Sequence, residues 1–238
     1  MIGLINREEN RTEESINEWL LQLSESFGFN FDIINMSDLE KSRVLVSSGI
    51  YEILSDAEIA HLKKIKLEKN RLQWIAGRYA VKNAFRKHMH LRAKRDFGTI
   101  DVLKGADSAP YILQYQSCTA SITHSYPYCV GVVADKRIGV DIENIFMPDK
   151  SLIKYFYTDN EKHVLKNCIH KDEYSWMAMA YWTRKEAISK LFRLGMNMDF
   201  SKLDTTYDYY YKNDMSIRLK SFRCRDFCIS IAVELSNV

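Results

Sequence analysis

Gly139-Val140-Asp141-Ile142-Glu143 alternates acidic and apolar residues, and Trp182-Thr183-Arg184-Lys185-Glu186-Ala187-Ile188-Ser189-Lys190 spaces its large and charged residues at helical intervals. The alternation predicts a strand with Asp141 and Glu143 on one face. The second segment predicts a helix on which Trp182, Glu186 and Lys190 share a face at i, i+4, i+8. Two strand carboxylates opposite one helix carboxylate make an all-oxygen site. Such a site suits Mg2+, a hard cation that takes a few carboxylates together with phosphate oxygens. Lys190, one turn beyond Glu186, suits a phosphate better than the metal.

The rest of the chain is ordinary for a soluble globular protein of 238 residues, with 46% hydrophobic and 27% charged residues. Three prolines and nine glycines argue against a long disordered linker. The formal charge of +3 is too small to indicate a partner. Arg7, Glu8 and Glu9 interrupt the start, so no secretory leader is expected, and no apolar run reaches the ~20 residues of a membrane span. Cys118, Cys129, Cys168, Cys224 and Cys228 are odd in number and form no CxxC pair. Reduced thiols in a cytoplasmic protein are expected, rather than a disulfide framework or a zinc site.

Residues 12–26, with Ile16, Trp19, Leu20 and Leu23, predict an amphipathic helix after which a polar stretch runs to a strand at Val44-Leu45-Val46. Ser55-x-x-Glu58 and Thr158-x-x-Glu161 are capping boxes, each opening a short helix. Each is followed by a long helical pattern, about Asn70 to His90 and about Glu173 to Leu194, the second stopped at Gly195. Short strands are predicted at 99–103, 111–113, 119–123, 128–134 and 137–143, and again at 205–211, 216–221 and 227–235. The order capping box, short helix, long helix, strands occurs twice without a legible residue repeat. This predicts an α+β protein of two similar pseudo-symmetric halves, 41–135 and 136–238, preceded by a helical N-terminal extension, 1–40. Residues 1–38 are accordingly expected to be dispensable, and a ligand site is expected between the halves.

The ordered motifs resemble those of the Sfp-type 4′-phosphopantetheinyl transferases. Ser121-Ile122-Thr123-His124-Ser125 resembles S-[IV]-[ST]-H-[ST]. Gly139–Glu143 resembles [IV]-G-[IV]-D-[IVL]-E read from its glycine, and Trp182–Lys190 resembles W-[ST]-x-K-E-[AS]-x-x-K. Phe156-Tyr157-Thr158 to Glu161, the arginine-bearing segment Arg71 to Arg78, and Leu54 to Glu58 fit as well, so the likeness spans roughly residues 50–235. Two features depart from it. Gly105-Ala106-Asp107-Ser108-Ala109-Pro110 lacks the lysine of the family's G-K-P, and only Gly195 stands where a glycine-rich stretch is usual.

The resemblance implies an Mg2+-dependent transfer of the phosphopantetheine arm of coenzyme A to a serine of an apo acyl or peptidyl carrier protein, releasing 3′,5′-adenosine bisphosphate. It implies Asp141, Glu143 and Glu186 as metal ligands, Glu186 also as general base, and Lys190 on the pyrophosphate. His124, Ser125, Arg71, Arg78 and Lys185 are expected to bind coenzyme A. Trp182 is expected to pack, and the other histidines to be structural. A monomer acting without a membrane is expected. The alternatives are a non-catalytic relative that binds coenzyme A or a carrier protein, and a nucleic-acid-binding module. The second would use the basic run Lys82, Arg86, Lys87, His88, His90, Arg92, Lys94, Arg95, but only Phe85 supplies an aromatic there.

Overall fold

The computed structural model describes residues 2–42, 49–91 and 94–235, with side chains for all of these except 2–10 and 94–96. The expected strand at Val44–Val46 and Arg92 of the basic run lie outside the described residues. The chain divides into two compact units, Met1–Lys136 and Arg137–Val238. Among the described residues, no helix is long and apolar enough to cross a membrane.

The first unit runs α1 (Ile2–Phe27), β1 (Asn30–Asn35), α2 (Met36–Lys41), α3 (Ile50–Ile53), α4 (Asp56–Leu62), α5 (Glu68–His88), β2 (Val102–Lys104), β3 (Pro110–Ile112), β4 (Thr119–Ser125) and β5 (Tyr128–Ala134). The second runs β6 (Ile138–Asn144), α6 (Lys150–Phe156), α7 (Asp159–Lys166), α8 (Lys171–Phe192), β7 (Tyr209–Lys212), β8 (Met215–Cys224) and β9 (Phe227–Leu235). The main sheet of the first unit is antiparallel in the order β1-β5-β4; that of the second is antiparallel in the order β6-β9-β8-β7. In both, the opening strand lies beside the closing one and the long helix, α5 or α8, packs across the face. The α+β class and the two similar halves are therefore present, and the repeat extends to single residues.

The capping boxes carry that repeat. Oγ of Ser55 accepts from the Glu58 amide and the Ser55 amide donates to Glu58 Oε2. Thr158 and Glu161 reproduce both bonds at the start of α7. Each glutamate is then used twice, because a fully buried lysine on the long helix meets it: Lys82 Nζ lies 2.5 Å from Glu58 Oε2, and Lys185 Nζ 2.8 Å from Glu161 Oε2. The same 24-residue spacing separates the members of both pairs. Lys82 donates further to the Ile53 and Phe97 carbonyls, and Lys185 to those of Phe200 and Leu203. The second glutamate oxygens accept from the amides of Val102 and Thr205.

Residues 1–40 are not an appendage. Thr12, Ile16 and Leu20 form the buried stripe of α1, and Gly28, at φ +63°, turns the chain out of the helix into β1. The six residues of β1 pair with β5, in register from Asn30–Val133 to Asn35–Tyr128, and Phe29, Phe31, Ile34 and Met36 enter the core. The sequence hid this strand because Asn30, Asp32 and Asn35 break its apolar pattern. Burying each large apolar side chain contributes ~1.5–3 kcal/mol. Removing residues 1–38 should therefore leave a chain that is insoluble or lacks a cooperative melt by circular dichroism. A soluble truncation melting like full-length protein would show that β1 is dispensable after all.

Candidate active site

In the second unit, the site begins with a glycine. A Cβ at Gly139 would run into the Ala187 carbonyl oxygen and stand 2.7 Å from the Leu191 amide nitrogen. A residue without a side chain lets β6 close directly onto α8. Two positions along the strand, Asp141 emerges on the same side and meets the helix at Lys190, whose Nζ donates to Asp141 Oδ1 at 2.6 Å and to the Val140 carbonyl at 3.1 Å. Glu143 follows on that face, and Glu186 lies one turn before Lys190 on α8. Trp182, on the next turn back, makes edge contacts with Phe156 and Phe200 at ring separations of 5.6 Å, so it packs as expected.

The electrostatics show how these groups feel one another. Burial first, then the charge of Asp141, raise the Glu143 carboxyl to about 7, with Lys190 opposing and Glu186 adding. Burial and Asp141 also raise Glu186, again against Lys190. Three carboxylates face one ammonium, a deficit equal to a divalent cation. The donors are all oxygen, a chemistry that suits the hard metal the sequence suggests, and their charges couple through Asp141. Asp141, Glu143 and Glu186 would hold it.

Lys185 belongs elsewhere. It has no exposed surface and its ammonium is committed to Glu161 and two carbonyls, so it cannot reach coenzyme A. Successive helix residues point about 100° apart, which sends Lys185 inward while Glu186 faces β6. Arg184 also turns away, bonding Asp208, Ser221 and the Thr205 carbonyl.

In the first unit, two adjoining hollows of about 430 and 360 Å3 share His61, Trp74, Arg78 and Lys104. Asn70, Gln73, Ser108, Pro110, Ile122 and His124 complete the smaller one. Arg78 is 9% exposed and its guanidinium carbon lies over Trp74, 4.2 Å from the ring centroid, with Nε buried and without a hydrogen-bond partner. Burial lowers its guanidinium to about 10. His61 also stacks on Trp74, at 5.2 Å and 17°.

Of the residues expected to bind coenzyme A, His124 and Arg78 meet in the smaller hollow. Ser125 does not join them: alternate residues of β4 face opposite sides, so an exposed His124 places Ser125 inside. Arg71, two turns before Arg78, is half-buried and does not line either hollow. His61 and Lys104 were missed by sequence reasoning. Lys104 pairs with Pro110 across the β2–β3 hairpin. Its proximity to a proline six positions away could have been read only from the turn between them. Of the basic run, Lys82 is buried, Lys87 pairs with Asp32 and His88 with Asp135, while the side chains of Arg92, Lys94 and Arg95 lie outside the described residues.

The second unit also matches a known family. Residues 137–232, which hold β6, α8 and all three carboxylates, match the model of the 4′-phosphopantetheinyl transferase superfamily. The match covers the second unit alone. A holo-[acyl-carrier-protein] synthase of Bacillus velezensis is 27% identical over 118 residues, 47% of this chain and 97% of that protein. Among solved structures, a holo-(acyl-carrier-protein) synthase of Bacillus anthracis in complex with CoA (3′,5′-ADP) is 25% identical, with 44% of this chain and 91% of that one covered at a TM-score of 0.39. That of Helicobacter pylori in complex with coenzyme A is 26% identical, with 44% and 97% covered at 0.37. At these TM-scores the structural likenesses add nothing to the assignment.

The raised carboxyls set a pH dependence. Glu143 binds its proton more tightly in the fold, at about 7, than in the unfolded chain near 4.5. Between those values the folded state holds more protons, so metal-free protein should lose stability as pH rises through that window. Thermal melts in chelator should show the decline. Glu143→Gln should flatten it, and Mg2+ should restore the midpoint most strongly above pH 7. A midpoint indifferent to pH in wild-type protein would show that these carboxyls are not crowded together.

Proposed function

We propose that this protein is an Sfp-type, Mg2+-dependent 4′-phosphopantetheinyl transferase that modifies a serine of an apo carrier protein. The observation that carries the reading is the Lys190–Asp141 pair where β6 closes on α8 over Gly139, with Glu143 and Glu186 near enough to feel the charges of that pair. The name of the curated relative supports a carrier-protein substrate: it is a holo-[acyl-carrier-protein] synthase.

The reaction is a displacement at phosphorus. The serine Oγ attacks the phosphorus on the pantetheine side of the pyrophosphate, its proton leaves, and the bond to 3′,5′-adenosine bisphosphate breaks. A bound Mg2+ would neutralise the pyrophosphate oxygens as charge builds on them. Glu186 is placed to accept the serine proton, and a carboxyl raised by burial is a better base than an exposed one. Of the three donors on the Lys190 ammonium, two are taken by Asp141 and Val140. The third can bond a phosphate oxygen. In the first unit, Arg78, Lys104 and His124 supply donors for a phosphate, and Trp74 an aromatic surface. Lys104, opposite Pro110, provides the positive charge that the absent G-K-P lysine would otherwise bring.

Glu186→Gln separates chemistry from binding. Incubated with coenzyme A, Mg2+ and a panel of apo carrier proteins, wild-type protein should add the arm, seen by intact mass, and chelator should abolish the addition. Glu186→Gln should slow transfer by ~10²–10⁴, as for a lost general base. Its affinity for coenzyme A with Mg2+ should stay within about tenfold, or ~1.4 kcal/mol. Undiminished transfer in excess chelator would overturn the metal assignment, and near-normal transfer by Glu186→Gln would overturn the role of the base.

Arg78→Gln and Lys104→Ala test the first unit. A charge-assisted contact contributes roughly 1.5–3 kcal/mol, so each variant should lose about tenfold or more in affinity for coenzyme A and little for dephospho-coenzyme A by calorimetry. Equal losses for both ligands would mean that these side chains do not read the 3′-phosphate.

A further inference from the structure

We propose that the first unit holds a second cation site of different chemistry, formed by His88, Cys118 and Asp135 and suited to Zn2+. Its Nε2, Sγ and carboxylate oxygen all lie within 4.8 Å of one another. His88 Nε2 is 3.0 Å and Cys118 Sγ 3.7 Å from Asp135 Oδ1. In tetrahedral zinc, bond lengths of about 2.0–2.3 Å put nitrogen and oxygen ligands about 3.3 Å apart and sulfur and oxygen ligands about 3.5 Å apart. The observed edges differ from these by a few tenths of an ångström, which side-chain rotation can supply.

The fold brings the three together from separate places. The β4–β5 hairpin pairs Thr119 with Ala134, so Cys118 and Asp135 are its next residues outward on each side. His88 ends α5, which packs across the same sheet. Asn30, at the start of β1, lies with Nδ2 3.4 Å from His88 Nδ1. As placed, this nitrogen donates to Nδ1; with Nε2 a ligand and Nδ1 protonated, the amide must turn over so that Oδ1 accepts from Nδ1–H and orients the ring. The cysteine is buried and the His88 side chain is 13% exposed, while Asp135 is 76% exposed, so the site opens to water on one side. Three protein ligands and a water would complete the tetrahedron.

The donor set selects against the metal of the second unit. A thiolate and an imidazole prefer zinc to magnesium, whereas three carboxylates do the reverse. On binding, the Cys118 thiol gives its proton to solvent, and thiolate and Asp135 carboxylate together balance the divalent charge. No electron is transferred. The ion would tie the end of α5 to the open end of the hairpin.

Co2+ titrated into metal-free, full-length protein in excess Mg2+ tests the site. One equivalent should bring up a thiolate-to-cobalt charge-transfer band with tetrahedral d–d absorption. Cys118→Ser should lose the band, Asp135→Asn should bind at least tenfold more weakly, and Asp141→Ala should behave as wild type. Zn2+ at a hundredfold excess over its Kd should raise the thermal midpoint of wild-type protein by about 5–10 °C, and that of His88→Ala hardly at all. Asp135 is exposed, so Asp135→Asn will fold, and unchanged Co2+ affinity in that variant would overturn the proposal. So would a titration without a thiolate band, or a band that persists in Cys118→Ser.

Discussion

The structure depends on a charged pair taken out of water. In each unit a lysine on the long helix and a glutamate from the capping box are buried together, and backbone amides and carbonyls meet their remaining hydrogen-bonding capacity. Desolvation pulls both lysines down, against the attraction of their glutamates. Such a pair contributes little net stability over an apolar replacement, but losing one partner typically costs about 3–5 kcal/mol. Its effect is to fix rotation. With Lys185 held inward on Glu161, the adjacent Glu186 and, one turn on, Lys190 must face β6. The site's geometry follows from a bond in which no site residue takes part.

The same frame occurs twice, and the copies differ in charge. In the first unit Lys87 donates to Asp32 Oδ1 and to the Phe31 carbonyl, as Lys190 does to Asp141 and Val140. Asn83 donates to Asp32 Oδ2 from the position, next to the buried lysine, that Glu186 holds in the second unit. Ile34 stands two residues after Asp32, as Glu143 stands after Asp141. One carboxylate, one ammonium and a neutral amide balance, leaving no demand for a cation. The second unit lacks that balance. The duplicated scaffold therefore carries one charge deficit, and the first unit offers instead a cationic hollow around Arg78.

Much of the site was legible because it lies on regular elements. Alternation on β6 and i, i+4 spacing on α8 name Asp141, Glu143, Glu186 and Lys190 without coordinates, and the capping boxes mark two helix starts to the residue. The failures are equally physical. Lys185 reads like Lys190 by composition, but one position along a helix turns a side chain by about 100°. Ser125 is buried where His124 is exposed because neighbours on a strand face opposite ways. β1 escaped notice because its polar residues serve tertiary partners: Asp32 meets Lys87 and Asn83, and the Asn35 side chain caps α2.

The sequence by itself determined the α+β class, the order of the elements and the faces on which Asp141, Glu143, Glu186 and Lys190 lie, since these follow from local periodicity. Only the tertiary structure decided which charges are buried and which face a ligand. It enlisted Asn30–Asn35 in the first sheet, brought Lys104 and His61 to Arg78, and set His88 beside Cys118 and Asp135. Those juxtapositions join residues distant in the chain. They arise from strand register and helix rotation set by packing, and no local pattern records them.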